Sequence, residues 1–167
     1  IPGSVLAEGI DFSWQSYPEY LDVLGSMPRV MDIGSRIPHG ALRFYVMGER
    51  GADHNEIPDA GELLLMEKLV VEAFAAGALG FTTSRTTKHK AADGRLTPSL
   101  SAGDPELAAI ANAMRVADAG ILQVNSDFGH GEFETIREAA RISGRPLSAL
   151  IIQVDHEPDL WRETLSN

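Results

Sequence analysis

Apolar residues along this chain alternate between two rhythms. Leu63, Met66, Val70 and Phe74 recur every three or four positions, the spacing of one helical face. Leu107, Ile110, Ala111, Met114 and Ala117 repeat that spacing, and Phe133, Ile136 and Ala140 do so again. After each such stretch comes a glycine, a short apolar run and a polar tail. Gly77 leads into Leu79–Thr82, Gly120 into Ile121–Val124 and Gly144 into Leu147–Ile152. The glycines suit the residue just past a helix, where left-handed backbone is common. The apolar runs are short enough for strands, and parallel strands joined by helices are buried on both faces.

Helix ends can be read at several points. Asp59 and Glu62 have capping-box spacing ahead of the helix that closes at Gly77. Asp104-Pro105 reads as an N-cap and first helical residue, with closure at Gly120. Ser16, Pro18 and Gly25 bracket a short early helix, and Glu157-Pro158-Asp159 opens a last one over Leu160–Leu165. Other segments are less definite. Ile10, Phe12 and Trp14 alternate as a short edge strand would, and Val30, Met31 and Ile33 form a brief apolar run. Ala41–Val46 fits either a strand or one helical turn. Residues 48–57 read as a surface loop, and 83–103 as a loop long enough to suspect a function.

Helix, glycine, strand and polar tail in threefold succession predict an α/β fold of parallel βα units. About four units fit into residues 1–167, taken as one domain. A closed (β/α)8 barrel usually needs ~250 residues. The chain is therefore either a complete small open-sheet domain or about half of a TIM-like barrel.

Ligands of parallel α/β folds bind at the carboxyl ends of strands, which directs attention to the polar tails. Thr82, Thr83, Ser84, Thr86 and Thr87 offer hydroxyls to a small polar substrate, and Arg85 a partner for its carboxylate. The same hydroxyls could instead satisfy backbone groups of a tight loop. Asn125 and Asp127 follow the second strand and Gln153 the third, although Asp127 also suits a turn or cap. Five histidines are present: His39, His54, His89, His130 and His156. None has a partner at His-x-His or His-x-x-x-His spacing, and a solvated loop histidine is the plain expectation for each.

Composition narrows the function classes. Lys and Arg total 14 against 24 Asp and Glu, a formal charge of −10, which disfavours nucleic acid as a partner. There is no cysteine, so no disulfide, Cys-ligated zinc or thiol nucleophile. No apolar run approaches the ~18–20 residues of a membrane span, so no membrane is expected as a partner. Ile1-Pro2-Gly3-Ser4 lacks the basic start of a secretory leader, and a cytoplasmic location is the expectation. No dinucleotide fingerprint, Walker loop or Gly-x-Ser-x-Gly elbow is present.

Three stretches carry a resemblance. Trp14-Gln-Ser-Tyr-Pro-Glu-Tyr-Leu-Asp22 precedes Pro38-His-Gly-Ala-Leu-Arg43 with Val46-Met-Gly48, and then Gly77-Ala-Leu-Gly-Phe-Thr-Thr-Ser84. In that order they resemble the D-aminoacylase (N-acyl-D-amino-acid deacylase) branch of the amidohydrolase superfamily. The resemblance implies an internal fragment of a (β/α)8 barrel. It also implies hydrolysis of a small acylated amino acid or amine by zinc-activated water in the full-length protein. His39 and Arg43 would then shape the pocket rim.

The family's His-x-His pair and catalytic Asp would lie outside this chain. Where deacylases end one strand in His-x-Arg, this chain has Asn125-Ser126-Asp127. Where the next ends in a Ser-His-His-Lys-like run, it has Leu150–Gln153. Neutral amides are poor zinc ligands, so no metal is expected in this chain and it should be inactive alone. Two other readings stay open: a barrel that has lost its metal ligands and only binds, and a self-contained domain that takes an anionic metabolite at Thr83–Thr87. Unpaired sheet edges lead to the expectation of an oligomer, or of association with the remaining half of the barrel.

Overall fold

The computed structural model describes residues 8–151, 153 and 155–166. In chain order its elements are α1 (Tyr17–Ser26), β1 (Ile37–Pro38), α2 (His39–Met47) and a 3-10 turn (Gly48–Ala52). They continue with α3 (Ala60–Ala76), β2 (Gly80–Arg85), α4 (Asp104–Ala117) and β3 (Ile121–Ser126). α5 (Glu132–Ser143), β4 (Leu147–Ala149) and α6 (Leu160–Ser166) complete them. The four strands form one sheet in the order β1-β2-β3-β4, every pair parallel. The expected parallel βα architecture is present.

Local chemistry explains the boundaries. The Ser16 side chain accepts from the Glu19 backbone while Glu19 reaches back to the Ser16 N–H, a complete capping box that opens α1. Asp59 and Glu62 do the same for α3, which ends at Gly77 with φ 113°. α1 runs through Gly25 to Ser26 instead of stopping before it. α4 starts after Gly103 and closes at Asp118, itself left-handed, two residues earlier than expected. The ambiguous 41–46 segment is helical. No strand forms at 10–14, where Phe12, Trp14, Tyr20 and Tyr17 instead tilt against one another with ring centroids 5.4, 5.3 and 5.8 Å apart. Val30 is almost fully exposed, and 30–33 belongs to no helix or strand.

Two corrections concern the sheet. The polar tails are strand rather than loop: β2 continues to Arg85 and β3 to Ser126, in register as Arg85 opposite Ser126. β4 pairs only over Leu147–Ala149, and residue 152 lies outside the described residues. Nor are the strands buried on both faces. Because spatial order follows chain order and crossovers are right-handed, the connecting helices lie on one side of the sheet. α3 packs on α4 and α4 on α5. Phe81, Leu122 and Val124 join Met66, Val70, Phe74, Ile110, Met114 and Ile136 in one core beneath them. The alternate residues Thr82, Ser84, Gln123 and Asn125 are only partly buried, on the face without helices.

β2 and β3 can approach because Gly80 has no side chain. A methyl group there would run into the Ile121 carbonyl. No helix among the described residues is long and apolar enough to cross a membrane.

Candidate functional site

The candidate residues separate by face of the sheet. Thr83 and Arg85 point toward the helices, Ser84 toward the open side, as the period of two in a strand requires.

On the helix side, His39 opens α2 and is 1% exposed, and Arg43, one turn later, is fully buried. Neither reaches a pocket rim. Nε2–H of His39 donates to Glu106 Oε1 (2.8 Å), since a carboxylate can only accept, and Nδ1 accepts from the Thr83 hydroxyl (2.9 Å). The Arg43 guanidinium binds the other Glu106 oxygen and donates to the Asp53 and Glu56 carbonyls at 3.2 and 2.6 Å. Its Nε is buried without a hydrogen-bond partner among the described residues.

Burial holds His39 below its ordinary pKa of 6.5 despite the Glu106 carboxylate, so the ring is neutral. Burial would raise the Glu106 carboxyl. The His39 hydrogen bond and the Arg43 charge outweigh that and hold it below 4.5. Glu106 belonged to no sequence motif. Its one signal was a position in the first turn of α4, where a carboxylate also suits the helix dipole.

Arg85 is likewise committed. It donates to both Glu132 oxygens (2.7 and 2.5 Å) and to the Ala102 carbonyl (2.6 Å), at 6% exposure. It ties β2 to the start of α5 and to the end of the long loop, and its guanidinium does not face the open cavity.

The carboxyl ends of β2 and β3 border a cavity of about 500 Å³, within the range of small-molecule sites, to which α5 and α6 also contribute. Thr86, Lys88, His89, Asn125, Ser126, Asp127, Glu163 and Thr164 form its polar wall, and Phe128, Phe133, Leu150, Ile151 and Leu160 its apolar one. Asp127 caps no helix. It accepts from the Thr86 hydroxyl (2.5 Å) and from the Thr87 N–H and hydroxyl (2.8 and 2.9 Å), clamping the loop after β2 to the end of β3. Burial pushes its carboxyl up, but those hydrogen bonds prevail and keep it below 3.8. Lys88 is exposed and has no salt-bridge partner among the described residues. Gln153 is exposed beyond β4 and does not line this cavity.

The sequence leads to the expectation of a plain loop histidine at His89. Its Nδ1 lies 2.7 Å from the Ser84 hydroxyl, and its Nε2 lies 3.3 Å from the Asn125 amide nitrogen. The residues chosen from sequence thus divide: Thr86, Asn125 and Asp127 line the cavity and Ser84 reaches it through His89, while His39, Arg43 and Thr83 join one network beneath the sheet and Arg85 pairs with Glu132 on that same side. A smaller apolar cleft, about 280 Å³, lies on the helix side among Trp14, Tyr20, Leu42, Tyr45 and Leu69.

Comparison with known proteins gives partial likenesses. No protein-family model matches the chain, and no solved structure does. An uncharacterized protein of Mycobacterium tuberculosis is 34% identical over 71 residues, which is 42% of this chain and 12% of that protein. A D-aminoacylase of Alcaligenes xylosoxydans xylosoxydans is 30% identical over 82 residues, 49% of this chain and 16% of the enzyme. The chain therefore spans only a small part of the length of the curated relatives it matches. The likeness to a D-aminoacylase points to a relationship with amidohydrolases.

Proposed function

We propose that this chain supplies part of a barrel-type hydrolase that cleaves the amide of a small acylated amino acid or amine. The observation that carries this reading is the mixed cavity at the carboxyl ends of β2 and β3, closed on one side by Phe133 of α5 and Leu160 of α6. Catalytic groups of parallel barrels converge at that end of the strands. The cavity joins an apolar wall, suited to an acyl or side chain, with hydrogen-bonding groups suited to an amide and a carboxylate. Lys88 takes the anion-pairing role that the sequence suggested for Arg85. Asp127 holds the Thr86–Lys88 segment still, so Lys88 is presented from a fixed loop. The partial likeness to a D-aminoacylase supports the same reaction class.

Zinc, the cofactor the resemblance implies, does not fit the residues present. Among the described residues no three His, Cys, Asp or Glu side chains converge. Asn125, at the strand end where a histidine ligand would be expected, is a neutral amide already beside His89. This chain's contribution is then binding and orientation: hydroxyl and amide groups on the open sheet face, a lysine at its rim, and apolar side chains that exclude water.

The test is hydrolysis of a panel of N-acyl-D- and N-acyl-L-amino acids by the full-length protein, before and after chelation. Release of free amino acid is expected. Saturable binding of the same compounds without any release would instead favour a non-catalytic binding domain.

A further inference from the structure

We propose that His89 is the catalytic proton donor of this site, protonating the leaving amine nitrogen, with Ser84 and Asn125 as its positioning residues. The assignment rests on the hydrolytic reading above. An exposed histidine in a loop ordinarily rotates freely, because fixing a side chain costs entropy that a solvated ring does not recover. This ring is held at both nitrogens, by Ser84 (2.7 Å) and Asn125 (3.3 Å), which come from two neighbouring strands. Its supports are themselves locked. The Ser99 hydroxyl accepts from the Ser84 N–H (3.4 Å) and donates to the Ser84 carbonyl (2.8 Å), which also accepts from Thr97 (3.3 Å). The intervening loop is fixed by Asp127, and by the Lys88 N–H donating to Thr86 (3.1 Å).

The bonds of Ser99 and Thr86 satisfy buried hydroxyls, but His89 itself is exposed and its contacts with Ser84 and Asn125 are not needed to satisfy a buried ring. The arrangement does match what a proton-transfer group needs: an imidazole, oriented by a second layer of hydrogen bonds, at the wall of a cavity. The other described histidines lack that combination. His39 is buried in the core, and His54 pairs with Ser101 away from this cavity.

The chemistry balances with water as the second reactant. As the water oxygen bonds to the acyl carbon and the C–N bond breaks, the electron pair of that bond stays on nitrogen. Nitrogen takes its proton from Nε2–H of His89, the ring nitrogen with the longer of the two contacts (3.3 Å to Asn125), which opens for the transfer. The proton shed by the water replaces it on Nε2. Nδ1 remains engaged with Ser84, and the Asn125 amide can turn to offer either its oxygen or its nitrogen to Nε2.

The experiment compares wild-type full-length protein with His89→Gln and Ser84→Ala, each checked for an unchanged thermal unfolding midpoint. Substrates are an N-acyl amino acid and the matching ester, whose alkoxide leaving group depends less on a proton donor. His89→Gln should lower kcat on the amide at least ~100-fold with little change in KM, and lower it on the ester by clearly less. Ser84→Ala should lower kcat on the amide by a smaller factor, again more than on the ester. Equal losses on amide and ester in His89→Gln would overturn the role of His89 and leave the hydrolytic reading standing. A wild-type protein that hydrolyses neither substrate would overturn both.

Discussion

Thr83 and Ser84 are neighbours in one strand, carry the same functional group, and each hydrogen-bonds a histidine. Their surroundings differ completely. Thr83 meets His39 in a network with Glu106 and Arg43 that is sealed under helices, while Ser84 meets His89 at a cavity wall. Under the sheet, charge must be compensated because water is absent, and the histidine is kept neutral. On the open face, water remains available and the same residue types stay free to engage a ligand. The pleat decides which role a hydroxyl takes.

The sharpest way to break this contrast is to remove Glu106. Glu106→Ala leaves the Arg43 guanidinium buried with no counter-charge, and should destabilise the protein by ~3–5 kcal/mol in chemical denaturation. A loss below ~1 kcal/mol would mean that water enters the network.

Acid acts on the same place with a smaller effect. Both His39 and Glu106 have folded pKa values below their ordinary ones, so the unfolded chain binds more protons on acidification. Their stabilisation is complete above 6.5, and His39 begins to lose its share as pH falls below that value. Glu106 adds its own loss below 4.5. Urea midpoints measured across this range should fall toward acid, and His39→Gln should flatten the part between 6.5 and 4.5.

The smallest effects belong to the open face. Ser84→Ala and Asn125→Ala should each change stability by no more than ~0.5 kcal/mol, because their side chains satisfy no buried group. A loss as large as that of Glu106→Ala would place the open face in the structural core and erase the contrast.

The same contrast explains what could be read from the sequence. Helix periodicity, the Asp59–Glu62 box and Gly77 located α3 to within a residue, because helix ends are local chemistry. Parallel pairing followed from the repeated order of elements. The alternation Phe81-Thr82-Thr83-Ser84 was also in plain view, yet a parallel strand was expected to be buried throughout, so its two faces were not separated. β1 was not found: two residues, Ile37–Pro38, cannot show a period. Among candidate residues, nearness to a strand end was legible, and Ser84, Thr86, Asn125 and Asp127 do converge. What Arg85 and Arg43 bind was not, because Glu132 and Glu106 lie 47 and 63 residues away on other elements. His89 gained significance only when Asn125, 36 residues on, proved to be its neighbour.

The order of the sheet has a consequence for how the chain is made. Among the described residues, each strand after β1 pairs with the one synthesised just before it, and none inserts between two earlier ones. β2 can therefore recruit β3 while β4 is still being added, each new βα unit docking on a surface already formed. The growing edge is always the most recent strand, and the last described one, β4, pairs with β3 over only three residues.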